Sequence, residues 1–152
     1  MFYDTSSHTI DSKNRVFVPK RFQQALGRDA DGNVIAFVTL GFEGCIFLFS
    51  EEGFEALRRR MDSLTFAGAE KRDMQRLFFS KTQRVQLDAS GRLLIPEKLR
   101  ARVGIEKAVV MVGVCERAEI WAAERWEERE AERDRDYDKL DRVLFGEAGG
   151  DD

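Results

Sequence analysis

The order of apolar and polar positions along the chain predicts many short elements. Thr9 and Ile10, and later Val85, Gln86 and Leu87, lead as short strands into turns of Asp and small polar residues. Asn14 and Gly91 sit in those turns and tolerate the positive φ of a tight hairpin. Strands return over residues 15–18 and 92–95. Pro19 and Pro96 end them and suit the first position of a short helix, whose apolar points are Phe22, Ala25 and Leu26, or Leu99 and Val103, before a terminating Gly. Further strands are expected near residues 34–40, 45–49, 108–112 and 119–121. Residues 51–64 place Phe54, Leu57, Met61 and Leu64 on one helical face. A second helix runs over residues 70–79 through Met74, Leu77 and Phe78, with the break at residues 65–68. After Trp126 the residues favour helix but carry almost no apolar stripe until Tyr137, Leu140, Val143 and Leu144. A solvated helix is expected there, weakened by like charges at Arg125, Arg129 and Arg133 and frayed towards Gly149 and Gly150.

This pattern is written twice. DSKNRVFVPKRF at residues 11–22 recurs as DASGRLLIPEKL at residues 88–99, an offset of 77 at which Asp, Arg and Pro coincide. Leu26 and Gly27 match Val103 and Gly104. After five extra residues in the first copy the match resumes at an offset of 72, pairing Gly41 with Gly113, Leu48 and Phe49 with Ile120 and Trp121, and Phe54 with Trp126. The chain divides into a first repeat at 5–53, connecting helices at 54–81, a second repeat at 82–126 and a charged tail at 127–152. A repeat of roughly 45–50 residues lies near the lower limit for an independent core, so the copies are expected to interleave their strands.

Charge changes this picture, because its average misleads. The 152 residues sum to −3. Residues 116–152 hold fourteen acids against seven bases, a local −7, whereas residues 1–115 hold 18 bases and 14 acids, or +4. A mildly basic body therefore carries an acidic tail, read as a solvated face, an inter-subunit clip or a competitor for the basic surface. The N-terminus has neither the basic nor the apolar region of an export signal, and no apolar run reaches the roughly 20 residues of a spanning helix, so a cytoplasmic protein without membrane contact is expected. Cys45 and Cys115 stand far apart with no CxxC or His-rich neighbour, which gives no metal site and no disulfide framework.

Candidate chemistry is sparse. The only histidine is His8, and no nucleophile elbow, Walker loop or dinucleotide fingerprint occurs, so no enzyme, cofactor or small-molecule substrate is expected. A carboxylate enzyme built on Asp11 or Asp88 is disfavoured by Arg15 and Arg92, each four residues on, which hold the acids ionised. The Asp-x-x-x-Arg pair is the most distinctive polar feature. It reads as a lock in which Asp caps turn amides and pairs with Arg, and as a device that presents a fixed guanidinium to guanine edges or phosphate. Other bases surround the pairs, Lys13, Lys20 and Arg21 in the first copy and Lys81, Arg84 and Lys98 about the second. The aromatic residues Phe37, Phe47, Phe49, Phe54, Phe78 and Trp121 fall at core positions rather than in a base-stacking row.

HTIDSKNRVFVP at 8–19, GFEGCIFLF at 41–49, RLFFS at 76–80, LDASGRLLIP at 87–96, VGV at 112–114 and EIW at 119–121, with Trp126, resemble the bacterial MraZ family over about residues 1–130. The resemblance implies an α+β fold with a barrel-like core of two SpoVT-AbrB-like halves, assembled into rings of many subunits. It implies a transcriptional regulator, nucleoid-associated, that binds short guanine-containing direct repeats of double-stranded DNA. The regulated promoter would be that of the division and cell wall gene cluster, usually repressed together with the regulator's own gene. Carried over by residue, Arg15 and Arg92 contact DNA, Asp11 and Asp88 position them, and Lys13 and Arg84 are basic neighbours. Asn14 stands where the family usually has Gly, and Ser90 stands where the first copy has Lys13. The rival reading is a protein-binding scaffold of antitoxin type.

Overall fold

The computed structural model describes residues 1–63 and 68–146, so Leu64, most of the break at residues 65–68, Gly149 and Gly150 lie outside the described residues. The described residues form eight strands: β1 Thr5–Thr9, β2 Arg15–Phe17, β3 Ile35–Leu40, β4 Ile46–Phe49, β5 Gln83–Gln86, β6 Arg92–Leu94, β7 Ala108–Val114 and β8 Arg117–Ala122. Helices α1 Lys20–Leu26 and α4 Glu97–Arg102 follow the two prolines, and α2 Glu51–Asp62 and α3 Gly68–Phe79 connect the copies. The chain ends in α5 Ala123–Asp134, a 3-10 turn Tyr137–Lys139 and α6 Leu140–Phe145. The expected single tail helix is thus broken after Asp134.

The strands build an antiparallel six-stranded sheet in the order β1-β7-β8-β4-β3-β5 and a separate ribbon of β2 and β6. Swapping the two copies reverses the sheet order onto itself, so the duplication is a pseudo-twofold axis. That axis passes where Val16 faces Leu93 in the ribbon and Phe47 faces Glu119 in the sheet. Of the ladders among the described residues, β3–β4 and β7–β8 stay within one copy, whereas β1–β7, β5–β3, β4–β8 and β2–β6 all join one copy to the other. Interleaving is therefore complete. Among the described residues the sheet is open, with β1 and β5 as edges, and no closed barrel forms.

Two details depart from the sequence expectation. The Asp-led turns close locally, Asp11 N donating to Arg15 O at 2.9 Å, yet the flanking strands do not continue as hairpins. β2 crosses to β6 because Val16, Val18, Leu93 and Ile95 are all buried, and only a ribbon on the axis brings both apolar sets over one core. Gly113 lies opposite Ala118 where Leu40 lies opposite Ile46, so the equivalent of Gly113 is Leu40, one residue before Gly41.

Apolar side chains fill both faces of the sheet. On one face Val38, Leu48, Met111 and Ile120 pack beneath the ribbon and beneath Phe22 of α1 and Leu99 of α4. On the other, Phe47, Phe49, Val110 and Trp121 pack beneath the long helices, with Trp126 of α5 lying 5.7 Å from Trp121. Ser50 starts α2 by accepting from Gly53 N at 2.9 Å, and Glu51 and Glu52 in the first turn suit the helix dipole. Phe54 then stacks on Phe37 at 4.6 Å and meets Phe49, Phe78 and Phe79 at about 6 Å. Truncating such a hub costs about 3–5 kcal/mol. The predicted face of α3 is only partly used: Phe78 and Phe79 reach this cluster, whereas Met74 and Leu77 stay exposed.

Candidate nucleic-acid interface

Each Asp-led loop is fixed by one carboxylate. Asp11 Oδ1 accepts from the backbone N–H of Lys13 at 2.8 Å and of Arg15 at 2.9 Å, and its Oδ2 accepts from Arg15 Nε at 2.8 Å. Asp88 repeats the set with Ser90 N, Arg92 N and Arg92 Nε, each at 2.9 Å. The N–H of Arg15 most of all, then those of Lys13 and the Arg15 side chain, hold the Asp11 carboxyl below the usual range despite partial desolvation. Asp88 is lowered in the same way, first by the N–H of Arg92. Asn14 at φ 63° and Gly91 at φ 83° supply the left-handed residue that lets each turn close.

The ribbon brings the two loops together. Val16 and Leu93 point into the core, so Arg15, Phe17, Arg92 and Leu94 lie on its outer side, with Arg15 facing Leu94 and Phe17 facing Arg92. Arg15 Nη1 lies 3.9 Å from Asp88 Oδ2, and Arg92 Nη1 lies 3.7 Å from Asp11 Oδ2. Four alternating charges thus form one cluster across the axis. Each guanidinium spends Nε on its own Asp and keeps further donors, and the side chains are about one-third exposed. Lys13 at the first turn is exposed and gives the loops a net positive charge.

Arg84 is not part of this group. Val85 packs against the ribbon-side core, and strand alternation puts Arg84 on the other face, opposite Phe37. His8 shares a 2.7 Å hydrogen bond with Ser6 Oγ, and burial, then the Arg21 charge, lowers its pKa.

Two residues that sequence reading passes over brace the loops. Gln23 of α1 is buried and donates from Nε2 to Val18 O at 2.7 Å, and it lies against Gly91, where an added Cβ would stand 2.3 Å from that nitrogen. Its equivalent at the offset of 77 is Arg100, which with Asn14, Gln86 and Glu97 lines a cleft beside the first loop. The available signal was a polar residue, one step after Phe22 or Leu99, on a helix face that otherwise enters the core.

The family model "MraZ protein, putative antitoxin-like" matches the chain twice, over residues 1–77 and 78–145. A protein of Moorella thermoacetica named "Transcriptional regulator MraZ" is 38% identical over 140 residues, covering 92% of this chain and 94% of its own. Proteins of the same name from Heliobacterium modesticaldum, 39% identical over 127 residues (83% of this chain, 84% of its own), and Lactiplantibacillus plantarum, 34% over 140 residues (92% and 95%), also match. With a duplicated fold whose halves each match the family model, and relatives aligned along most of its length, the chain belongs to the MraZ family.

Proposed function

We propose that this protein is a sequence-specific DNA-binding transcriptional regulator, acting as a repressor, whose paired Asp–Arg loops form one composite reading head per subunit. The observation that carries this is the joining of Arg15 and Arg92 across the axis, each locked by its own Asp through Nε and each side chain still about one-third exposed. A locked, planar donor loses little freedom on binding and suits guanine O6 and N7 or a phosphate. Lys13 adds a phosphate contact, Asp11 and Asp88 position the arginines, and Arg84 acts from a separate surface. The names carried by the relatives support regulation of transcription.

A head this small reads few bases, so affinity comes from several heads engaged at once by a ring of subunits on successive direct repeats. The proposed operator is the promoter of the division and cell wall gene cluster, including the protein's own gene, which places the protein in the cytoplasm at the nucleoid. The test is a gel-shift titration on the DNA upstream of the gene at two salt concentrations. Binding should fall steeply with salt, and Arg15→Ala should abolish it while the assembly keeps its mass. Unchanged binding by Arg15→Ala would remove the assigned contact. Inserting roughly 5 base pairs between repeats rotates one head off the shared DNA face and should weaken binding; undiminished affinity would reject the phasing.

The antitoxin-like wording of the family description supports a second reading, a protein-binding module. A stable heteromeric partner on purification, with no shift of repeat DNA, would favour it.

A further inference from the structure

A second surface is unused by the loops. Between α2, α3 and the end of β3 lies a groove of roughly 530 Å³ lined by Leu40, Phe42, Met61, Met74, Leu77 and Phe78. Phe42 is 65% and Leu77 55% exposed, so among the described residues nothing covers it. Its rim carries Lys81 and Arg102, with Lys98 beside them, and none of the three has an ion-pair partner among the described residues.

The tail carries a matching shape. Leu140, Val143 and Leu144 stand at i, i+3 and i+4 on α6, with Tyr137 one turn before, and all four are exposed. Such an amphipathic face is the usual cargo of an apolar groove. Asp141 flanks this face, Asp138 precedes it, and neither is paired among the described residues, while Arg142 falls on the opposite side of the helix. The connecting helices at 54–81 carry seven bases against four acids, and residues 127–152 eleven acids against five bases, so the two surfaces attract.

We propose that the apolar face of α6 from one subunit docks into the α2–α3 groove of the next, with Asp138 and Asp141 facing Lys81, Lys98 and Arg102. Groove and helix are different surfaces of one chain, so each subunit can give its helix to the next and receive one from the last, a head-to-tail contact that makes a ring where its rotation closes. This deepens the oligomeric part of the proposed function and does not depend on DNA.

The experiment uses full-length chains with Cys115→Ser. Cys45 stays, because it is buried and burial, then the Glu119 charge, pushes its thiol up to about 12. One chain carries Leu77→Cys and a larger tag, the other Val143→Cys. Mild oxidation should join them at least tenfold faster than a control pair in which exposed Asp31→Cys replaces Leu77→Cys. A rate equal to the control overturns the docking, as does closure within a single chain carrying both cysteines at high dilution. Independently, Val143→Asp with Leu144→Asp should raise the concentration at which the assembly half-dissociates at least tenfold. An assembly unchanged by these substitutions overturns the docking and leaves the DNA reading standing; lost promoter binding by Arg15→Ala, with cross-linking intact, bears on the reading head alone.

Discussion

The first-copy and second-copy loops share a backbone and differ in what surrounds it. Both turn on an Asp whose carboxylate accepts from one turn N–H and from the N–H and Nε of its Arg, and both end at the ribbon axis. Around the first stand Lys13, Asn14 and the cleft with Arg100; around the second, Ser90, Gly91 and buried Gln23. The lock is common to the two copies, and the charge and the bracing are free to diverge. A duplicated fold can therefore keep one rigid presentation while only one of its loops is basic.

The largest effect should come from breaking the element that both loops share. Leu93 is fully buried on the axis, and Leu93→Ala should cost about 2–5 kcal/mol by chemical denaturation. Because the ribbon joins the copies, amide exchange should speed up in both loops. Protection lost only in the second loop would show that they are independent.

Next comes the brace. Gly91→Asn would copy the first loop's residue into the second, but its Cβ must enter the space of Gln23, and overpacking of this kind costs about 1–3 kcal/mol. The reverse change, Asn14→Gly, should stay within about 0.5 kcal/mol, since φ 63° suits glycine at least as well. Equal costs for the two would remove Gln23 from its assigned role. Combining Gly91→Asn with Gln23→Ala should recover part of the loss.

How much of this was legible follows from the range of each signal. The duplication, the loops and the element types were readable, because Asp, Pro and apolar spacing act within a few residues. Which strands pair was not: four inter-copy ladders are decided by where Val16, Leu93 and their neighbours can be buried together, a property of the whole chain. Arg84 shows a local signal available and unused, since Val85 at a core position already sends its neighbour to the opposite face. Met74 and Leu77 show the limit of periodicity, which marks an apolar face without saying that its own chain covers it.

A smaller change would make the loops alike in charge. Ser90→Lys should add one phosphate contact, steepening the dependence of log affinity on log salt by about 0.9 and tightening promoter binding several-fold at low salt. Lys13→Ser should do the opposite. If Ser90→Lys leaves the slope unaltered, the second loop does not approach the backbone, and reading falls to the first loop with Arg92 as support.

The smallest effect tests the feature that the loops have in common. Both carboxyls are held below their usual range, so the native state binds fewer protons than the unfolded chain once the pH nears the ordinary Asp value of about 3.9. Their contribution to stability is fully present above that value and is lost as the pH falls through the lowered native one. Asp11→Asn and Asp88→Asn keep an oxygen for the backbone donors and lose the ion pair with Arg. Each variant should melt below the wild type at pH 7, and the gap should narrow on acidification past about pH 4. Because the two carboxylates have matching donors, the two gaps should be alike despite Lys13 on one loop and Ser90 on the other. A gap that persists at low pH would assign the loss to altered packing, and a marked difference between the variants would mean that the surroundings, rather than the shared donors, set the strength of the lock.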